Sequence, residues 1–138
     1  MKKTAIDTSI LLDVLLPDPV HWQGSAAALK VARDAGPLVI CELVYAELAT
    51  EFWTTHELYE ELRQTGIKLE FLDARSAFRA GRLWKEYRLR GGPRSRIMTD
   101  FLIGTHALLQ TDRLLTRDGG FYRDYFKGLT VFYSAARL

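Results

Sequence analysis

Lys3-Thr4-Ala5-Ile6-Asp7-Thr8-Ser9 is the stretch whose reading decides the fold. Lys3–Ile6 reads as a short strand that stops near Asp7. The apolar run Ser9–Leu16 follows and ends at Pro17-Asp18-Pro19, a strong breaker. Further along, Trp22–Ala35 places Trp22, Ala26, Leu29 and Ala32 near helical spacing, and Gly36-Pro37 stops it. Leu38–Ile40 reads as a short buried strand. Glu42–Trp53 and Glu57–Gln64 read as two helices broken around Thr54-Thr55, with Gly66 as a C-terminal stop. Ile67–Phe71 alternates like a strand. Ala74–Arg90 is an amphipathic helix ended by Gly91-Gly92-Pro93. The spacing then predicts a helix over Thr99–Leu109, a strand at Leu114–Thr116, a helical turn at Phe121–Phe126 and a last strand at Thr130–Tyr133. Short apolar strands alternating with helices predict an α/β fold, a central and mainly parallel sheet flanked by helices. In such sheets ligands bind beyond the carboxyl ends of the strands.

Composition agrees with one compact domain over residues 1–138. Hydrophobic residues make up 48% and charged residues 26%, which excludes a disordered chain. Cys41 is the one cysteine, so a disulfide scaffold and a cysteine zinc cluster are both excluded, and it reads as a small core residue. No stretch reaches the roughly 18 apolar residues of a bilayer span. Two lysines precede apolar residues at the start, as in a signal peptide, but Asp7 and Asp13 interrupt the apolar part. The expectation is the mature N-terminus of a cytoplasmic protein with no membrane partner. The net charge of +2 says little about partners by itself.

Four acids stand where chemistry is expected. Asp7 follows the first strand, and Asp118 follows a later one within Leu115-Thr116-Arg117-Asp118-Gly119-Gly120-Phe121. Glu47 lies inside the apolar helix Val44-Tyr45-Ala46-Glu47-Leu48, and Asp100 opens Asp100-Phe101-Leu102-Ile103. Each has an ordinary reading alone. Asp7 and Asp118 can serve turns, Asp100 suits the first turn of a helix, and Glu47 can share a polar stripe with Glu51. Together, in low dielectric, they need a positive charge between them. A hard divalent cation, Mg²⁺ or Mn²⁺, prefers oxygen ligands of this kind.

In these four motifs the sequence resembles the PIN-domain ribonucleases of the VapC toxin type, over essentially its whole length. The resemblance implies a three-layer PIN-like fold and a metal-dependent endoribonuclease leaving a 5′-phosphate and a 3′-hydroxyl. It implies that Asp7 and Asp100 hold the metal most directly, with Glu47 and Asp118 completing the set. Thr116 matches a hydroxyl position that arranges the fourth acid or an attacking water. Ser9 stands where many members carry Asn and can hydrogen-bond Asp7 or nearby backbone. The implied partners are an RNA substrate, for which transfer or ribosomal RNA is common in the family, a small cognate antitoxin that blocks the acidic pocket, and a second copy in a homodimer. Operator DNA is reached only through the antitoxin.

The remaining residues either support this reading or stand outside it. Setting the four acids aside turns the net charge of +2 into about +6, the field a polyanion meets outside the pocket. Arg88-Leu89-Arg90-Gly91-Gly92-Pro93-Arg94-Ser95-Arg96 leads toward Asp100 with four arginines, and Arg94 and Arg96 read as a phosphate clamp. Arg117 reads as a weaker phosphate contact or as a counter-charge to the acids. Asp112 lies about 20 Å of extended chain from Asp118 and reads as a surface group. Asp13 reads as a helix-face or capping residue. His21, His56 and His106 lack metal-ligand spacing and read as ordinary surface or helix residues. Trp22, Phe52, Trp53, Tyr59 and Leu62 read either as a partner groove or as core. A haloacid dehalogenase-type phosphatase needs a second Asp where Ser9 stands, and a receiver domain needs an acidic pair and a Lys that are missing. The rival that remains is a non-catalytic PIN-like RNA-binding or scaffold protein with structural acids.

Overall fold

Five three-residue or shorter strands carry the architecture of the computed structural model, which describes residues 1–133. Each strand is too short to be stable alone, so the helices between them supply most of the buried surface. The order is β1 (Thr4–Ile6), α1 (Thr8–Leu15), α2 (Trp22–Ala35), β2 (Leu38–Ile40), α3 (Glu42–Ala49), α4 (Thr55–Thr65), β3 (Ile67–Leu69), α5 (Ala74–Leu89), α6 (Met98–Gln110), β4 (Arg113–Leu115), α7 (Gly119–Tyr125) and β5 (Val131–Phe132). The strands form one sheet in the order β3-β2-β1-β4-β5, and every pairing is parallel. The sheet is therefore wholly parallel where the sequence predicts a mainly parallel one. The expected single domain over residues 1–138 includes 134–138, which lie outside the described residues.

The strand order places the site. From β1 the chain builds β2 and β3 on one side, then crosses over to β4 and β5 on the other. The order reverses between β1 and β4, where a crevice opens beyond the strand ends. Ala5 pairs with Leu114 and Ile6 with Leu115, and the Asp7 amide donates to the Leu115 carbonyl at 2.9 Å. That register brings Asp7 level with Thr116 at the carboxyl edge.

Burial follows the apolar pattern. Ile6, Ile40, Leu114 and Leu115 are fully enclosed between flanking helices, as parallel strands require. α1 packs on α2, and α5 packs on α6, which also lies against β1 and β4. Phe101 of α6 meets Tyr87, Phe121 and Phe126 with ring centroids 5.2–5.7 Å apart. Gly104 lets the Phe126 ring lie against α6, since a Cβ there would come within 2.3 Å of it. Cys41 is buried, as expected of a core residue. No helix among the described residues is long and apolar enough to cross a membrane.

Several boundaries differ from the sequence reading, β3 ending at Leu69 and α7 starting at Gly119 among them, and two differ for evident local reasons. The helix predicted over Glu42–Trp53 stops at Ala49, where the Thr50 hydroxyl takes the Glu47 carbonyl at 2.8 Å. Thr54 must then be extended to cap α4, and it forms a capping box with Glu57. α4 accordingly starts at Thr55, two residues earlier than predicted. Of the five apolar residues read as groove or core, Leu62 is buried and Phe52 half-buried, while Trp22, Trp53 and Tyr59 are exposed.

Candidate active site

Asp7 is the most enclosed of the four acids, with 8% of its surface exposed. It ends β1 and caps α1, and its Oδ1 accepts the Thr8 amide at 2.8 Å. Its Oδ2 accepts the Thr116 hydroxyl at 2.7 Å. Burial pushes the Asp7 carboxyl up to about 6. The bonds from Thr116 and Thr8 hold it back, and the charges of Glu47 and Asp118 push it further.

Thr116 is the hub of this arrangement. Its hydroxyl donates to Asp7 and accepts the Asp118 amide at 2.9 Å, so one buried group positions two acids. Thr116→Val keeps the shape and removes both bonds, leaving the Asp118 amide without its acceptor. We expect a loss of about 1–3 kcal/mol, read by urea unfolding, with Thr116→Ser close to wild type.

Glu47 projects from α3, half-buried, and accepts the Thr8 hydroxyl. Asp100 lies in the first turn of α6, where its Oδ2 accepts the Ile97 amide at 2.9 Å. Asp118, between β4 and α7, accepts Arg96 Nη1. The Arg96 guanidinium also lies 4.0 Å from the centroid of the Phe121 ring. The charges of Asp7, Asp100 and Asp118 all bear on the buried Tyr122 hydroxyl, whose pKa is driven well above its ordinary range first by burial and then by them. Glu47 and Asp118 bear on Asp7 in turn. The four acids, from four separate segments, are thus linked through Asp7 and Tyr122.

Several residues sit differently from the sequence reading. Arg117 does not face the acids. It grips Asp13 through two bonds, at 2.7 and 3.0 Å. Asp13 lies on the buried face of α1, and it also accepts the Ser25 hydroxyl at 2.6 Å. Arg117 is therefore committed to joining the β4–α7 loop to α1 and is not free for phosphate. The Ser9 hydroxyl makes no bond to Asp7 or to backbone; its oxygen is buried without a partner. His106 lies in α6, as one of the two readings had it, but is fully buried, with Nε2 2.9 Å from Glu70, which also pairs with Lys3. Burial, opposed by Glu70, lowers its pKa. His56 is exposed and His21 half-buried. Asp112 accepts the Lys3 amide at 2.7 Å, at the strand ends opposite to Asp118. Arg94 is exposed.

Thr8, Tyr122 and the Arg96–Asp118 pair are the parts of the site that sequence reasoning missed. Thr8 follows Asp7 directly, and Tyr122 lies one helical turn beyond Asp118, so adjacency to the acids was the available signal.

The donor set is entirely oxygen, four carboxylates, which is the chemistry of a hard divalent cation. The raised Asp7 carboxyl reports burial first, with the charges of Glu47 and Asp118 adding to it, and a cation beside it would favour its charged form. In the present side-chain arrangement no three His, Cys, Asp or Glu among the described residues are gathered closely enough to enclose an ion. Glu47, Asp100 and Asp118 are turned to Thr8, Ile97 and Arg96 instead. The residues fit a cation in type and location, and holding one requires those side chains to release their protein partners.

No curated protein sequence matches the chain. Among solved structures, a chain of VapBC2 from Rickettsia felis, bound to a promoter DNA fragment, superposes with a TM-score of 0.72 at 18% identity, covering 94% of this chain and 97% of that one. A chain of VapBC-1 from nontypeable Haemophilus influenzae gives 0.68 at 18% identity, covering 94% and 96%. A chain of DNA-bound VapBC from Salmonella typhimurium gives 0.64 at 16% identity, covering 96% and 98%. At these identities the likeness is one of fold. The family model of the PIN domain matches residues 4–127, and with that match the chain belongs to the PIN domain family.

Proposed function

We propose that this chain is a metal-dependent endoribonuclease, the toxin of a VapBC-like pair held inactive by a cognate antitoxin. The observation that carries this reading is the carboxyl edge of β1 and β4, where the charges of Glu47 and Asp118 bear on a buried Asp7 and those of Asp7, Asp100 and Asp118 bear on a buried Tyr122. Asp7 and Asp100 would hold Mg²⁺ or Mn²⁺, joined by Glu47 and Asp118. When bound, the ion supplies charge stabilisation for a phosphodiester and a more acidic water.

The chain's own residues do the rest. Thr116 fixes the Asp7 carboxylate, and Tyr122 walls the site from bulk water. Glu47, released from Thr8, accepts a proton from the attacking water. Arg94 and Arg96 hold substrate phosphates, which requires Arg96 to leave Asp118. The structural neighbours are toxin–antitoxin complexes, two of them with DNA, and this supports an antitoxin as partner with operator DNA bound through it. A cavity of about 470 Å³ beside the edge strand β3, lined by Tyr45, Tyr59, Leu62 and Leu69, supports a protein partner there, an antitoxin or a second copy. The cytoplasm is the compartment in which these partners meet.

The rival reading, a non-catalytic RNA-binding or scaffold protein, draws on the internal bonds that each acid already makes. Growth separates the two. Expression of the chain without an antitoxin should arrest growth within a few doublings, and Asp7→Asn at equal soluble yield should relieve the arrest. Normal growth at high soluble expression of the wild type would contradict the toxin reading.

A further inference from the structure

A second cavity, about 470 Å³, opens beside the acids between the C-terminal half of α5 and the loop that leads to α6. Trp84, Arg88, Gly92, Arg94, Arg96 and Ile97 are among its lining residues. Its size falls in the range of small-ligand sites. The loop is held in place. Gly91 turns in the left-handed region at φ 75°, and Gly92 lies against the Tyr87 ring, where a Cβ would come within 2.4 Å. The Tyr87 hydroxyl donates to the Pro93 carbonyl at 2.5 Å. Arg94 and Arg96 are thus presented from a fixed strap.

Two of its lining residues touch the acids. Arg96 pairs with Asp118, and the next residue, Ile97, donates its amide to Asp100. On the other side Trp84 is half-buried, its ring packs near Tyr87 and Phe101 with centroids 6.1 and 5.7 Å away, and the Arg88 guanidinium lies over it at 5.5 Å from the centroid, a place that a stacked base would take as Arg88 swings to a phosphate. Arg88 and Arg94 are exposed and have no carboxylate partner among the described residues. An aromatic face among unpaired arginines is the arrangement that takes a nucleobase by stacking and its flanking phosphates by charge. A base in a duplex is stacked on its neighbours and cannot enter such a cavity.

We infer that this cavity is a nucleotide subsite that stacks an unpaired base of the RNA substrate on Trp84, while Arg88 and Arg94 hold the phosphates flanking it. The inference rests on the proposed RNA substrate and adds that the strand must be unpaired next to the cleaved bond.

The test is a binding measurement that needs no cleavage. A full chain carrying Asp7→Asn, Trp22→Phe and Trp53→Phe keeps Trp84 as its sole tryptophan, since the sequence holds three. Titration with an unstructured RNA oligonucleotide should quench Trp84 fluorescence. A duplex of the same sequence should bind about tenfold or more weakly and leave the fluorescence unchanged. Adding Arg88→Glu and Arg94→Glu, both at exposed positions, should weaken single-strand binding about tenfold or more. The neutral pair, Arg88→Gln with Arg94→Gln, should lower the salt slope by roughly one per arginine. Single-strand binding without quenching, equal quenching by the duplex, or indifference to the charge reversals would each overturn the inference. Quenching does not depend on turnover, so wild-type cleavage without quenching removes this subsite alone. Quenching without wild-type cleavage removes the nuclease reading alone.

Discussion

Asp7→Asn should raise the melting temperature of the metal-free protein at pH 7 while abolishing its activity. The Asp7 carboxyl is enclosed and its pKa is lifted from 3.8 to about 6. The native state therefore keeps a proton that the unfolded chain loses near 3.8. Between about pH 4 and 6 the unfolded state binds fewer protons, so wild-type stability falls as pH rises through that window. Above pH 6 the full cost applies, about 3 kcal/mol for a shift of roughly two units. Asparagine carries no charge and keeps one acceptor for the Thr8 amide, but it disturbs the Thr116 bond. The net gain expected at pH 7 is about 1–2 kcal/mol, a rise of roughly 3–8 °C. The advantage should vanish near pH 4, grow to about pH 6 and then level off. Scanning calorimetry of both proteins in chelator across pH 4–8 reads it. Mn²⁺ should stabilise the wild type at pH 7 and leave the variant unmoved, because binding to the native state alone raises stability.

Arg117→Ala should be the most damaging single change away from the acids. Its guanidinium makes a two-bond pair with Asp13, whose side chain is only 4% exposed. Removing the arginine leaves a buried carboxylate with the Ser25 hydroxyl as its remaining partner. The expected loss is about 3–5 kcal/mol in urea unfolding. Asp13→Leu combined with Arg117→Met should recover most of it, since replacing both charges removes the unpaired one. A loss below about 1 kcal/mol for Arg117→Ala would return Arg117 to the set of residues available to phosphate.

The fold was legible in the sequence where local chemistry is decisive. Asp7 directly after a short apolar strand, with Pro17-Asp18-Pro19 behind the next helix, already places an acid at a strand end. What the sequence leaves open is pairing. Nothing near Arg113–Leu115 says that this strand lies beside Thr4–Ile6, yet that register alone joins Thr116 to Asp7 across 109 positions. The same distance problem hides the Arg117–Asp13 pair, 104 positions apart, and adjacency to Asp118 makes Arg117 look like a counter-charge to the acids. His106 sits in an apolar helix, and its partner Glu70, with the Lys3 that pairs with Glu70, flanks strands that only the folded sheet brings near. α3 ends early although Phe52 and Trp53 extend the apolar pattern, because the capping requirement of Thr54 overrides it.

The most direct measurement is cleavage of a total-RNA pool by the purified, antitoxin-free chain, with Mg²⁺ or Mn²⁺, with chelator, and beside Asp7→Asn. The account predicts discrete fragments that require both the ion and Asp7, with 5′-phosphate ends. Intact RNA from a folded wild-type chain in the presence of either ion would contradict it, as would fragments that persist in chelator or with Asp7→Asn.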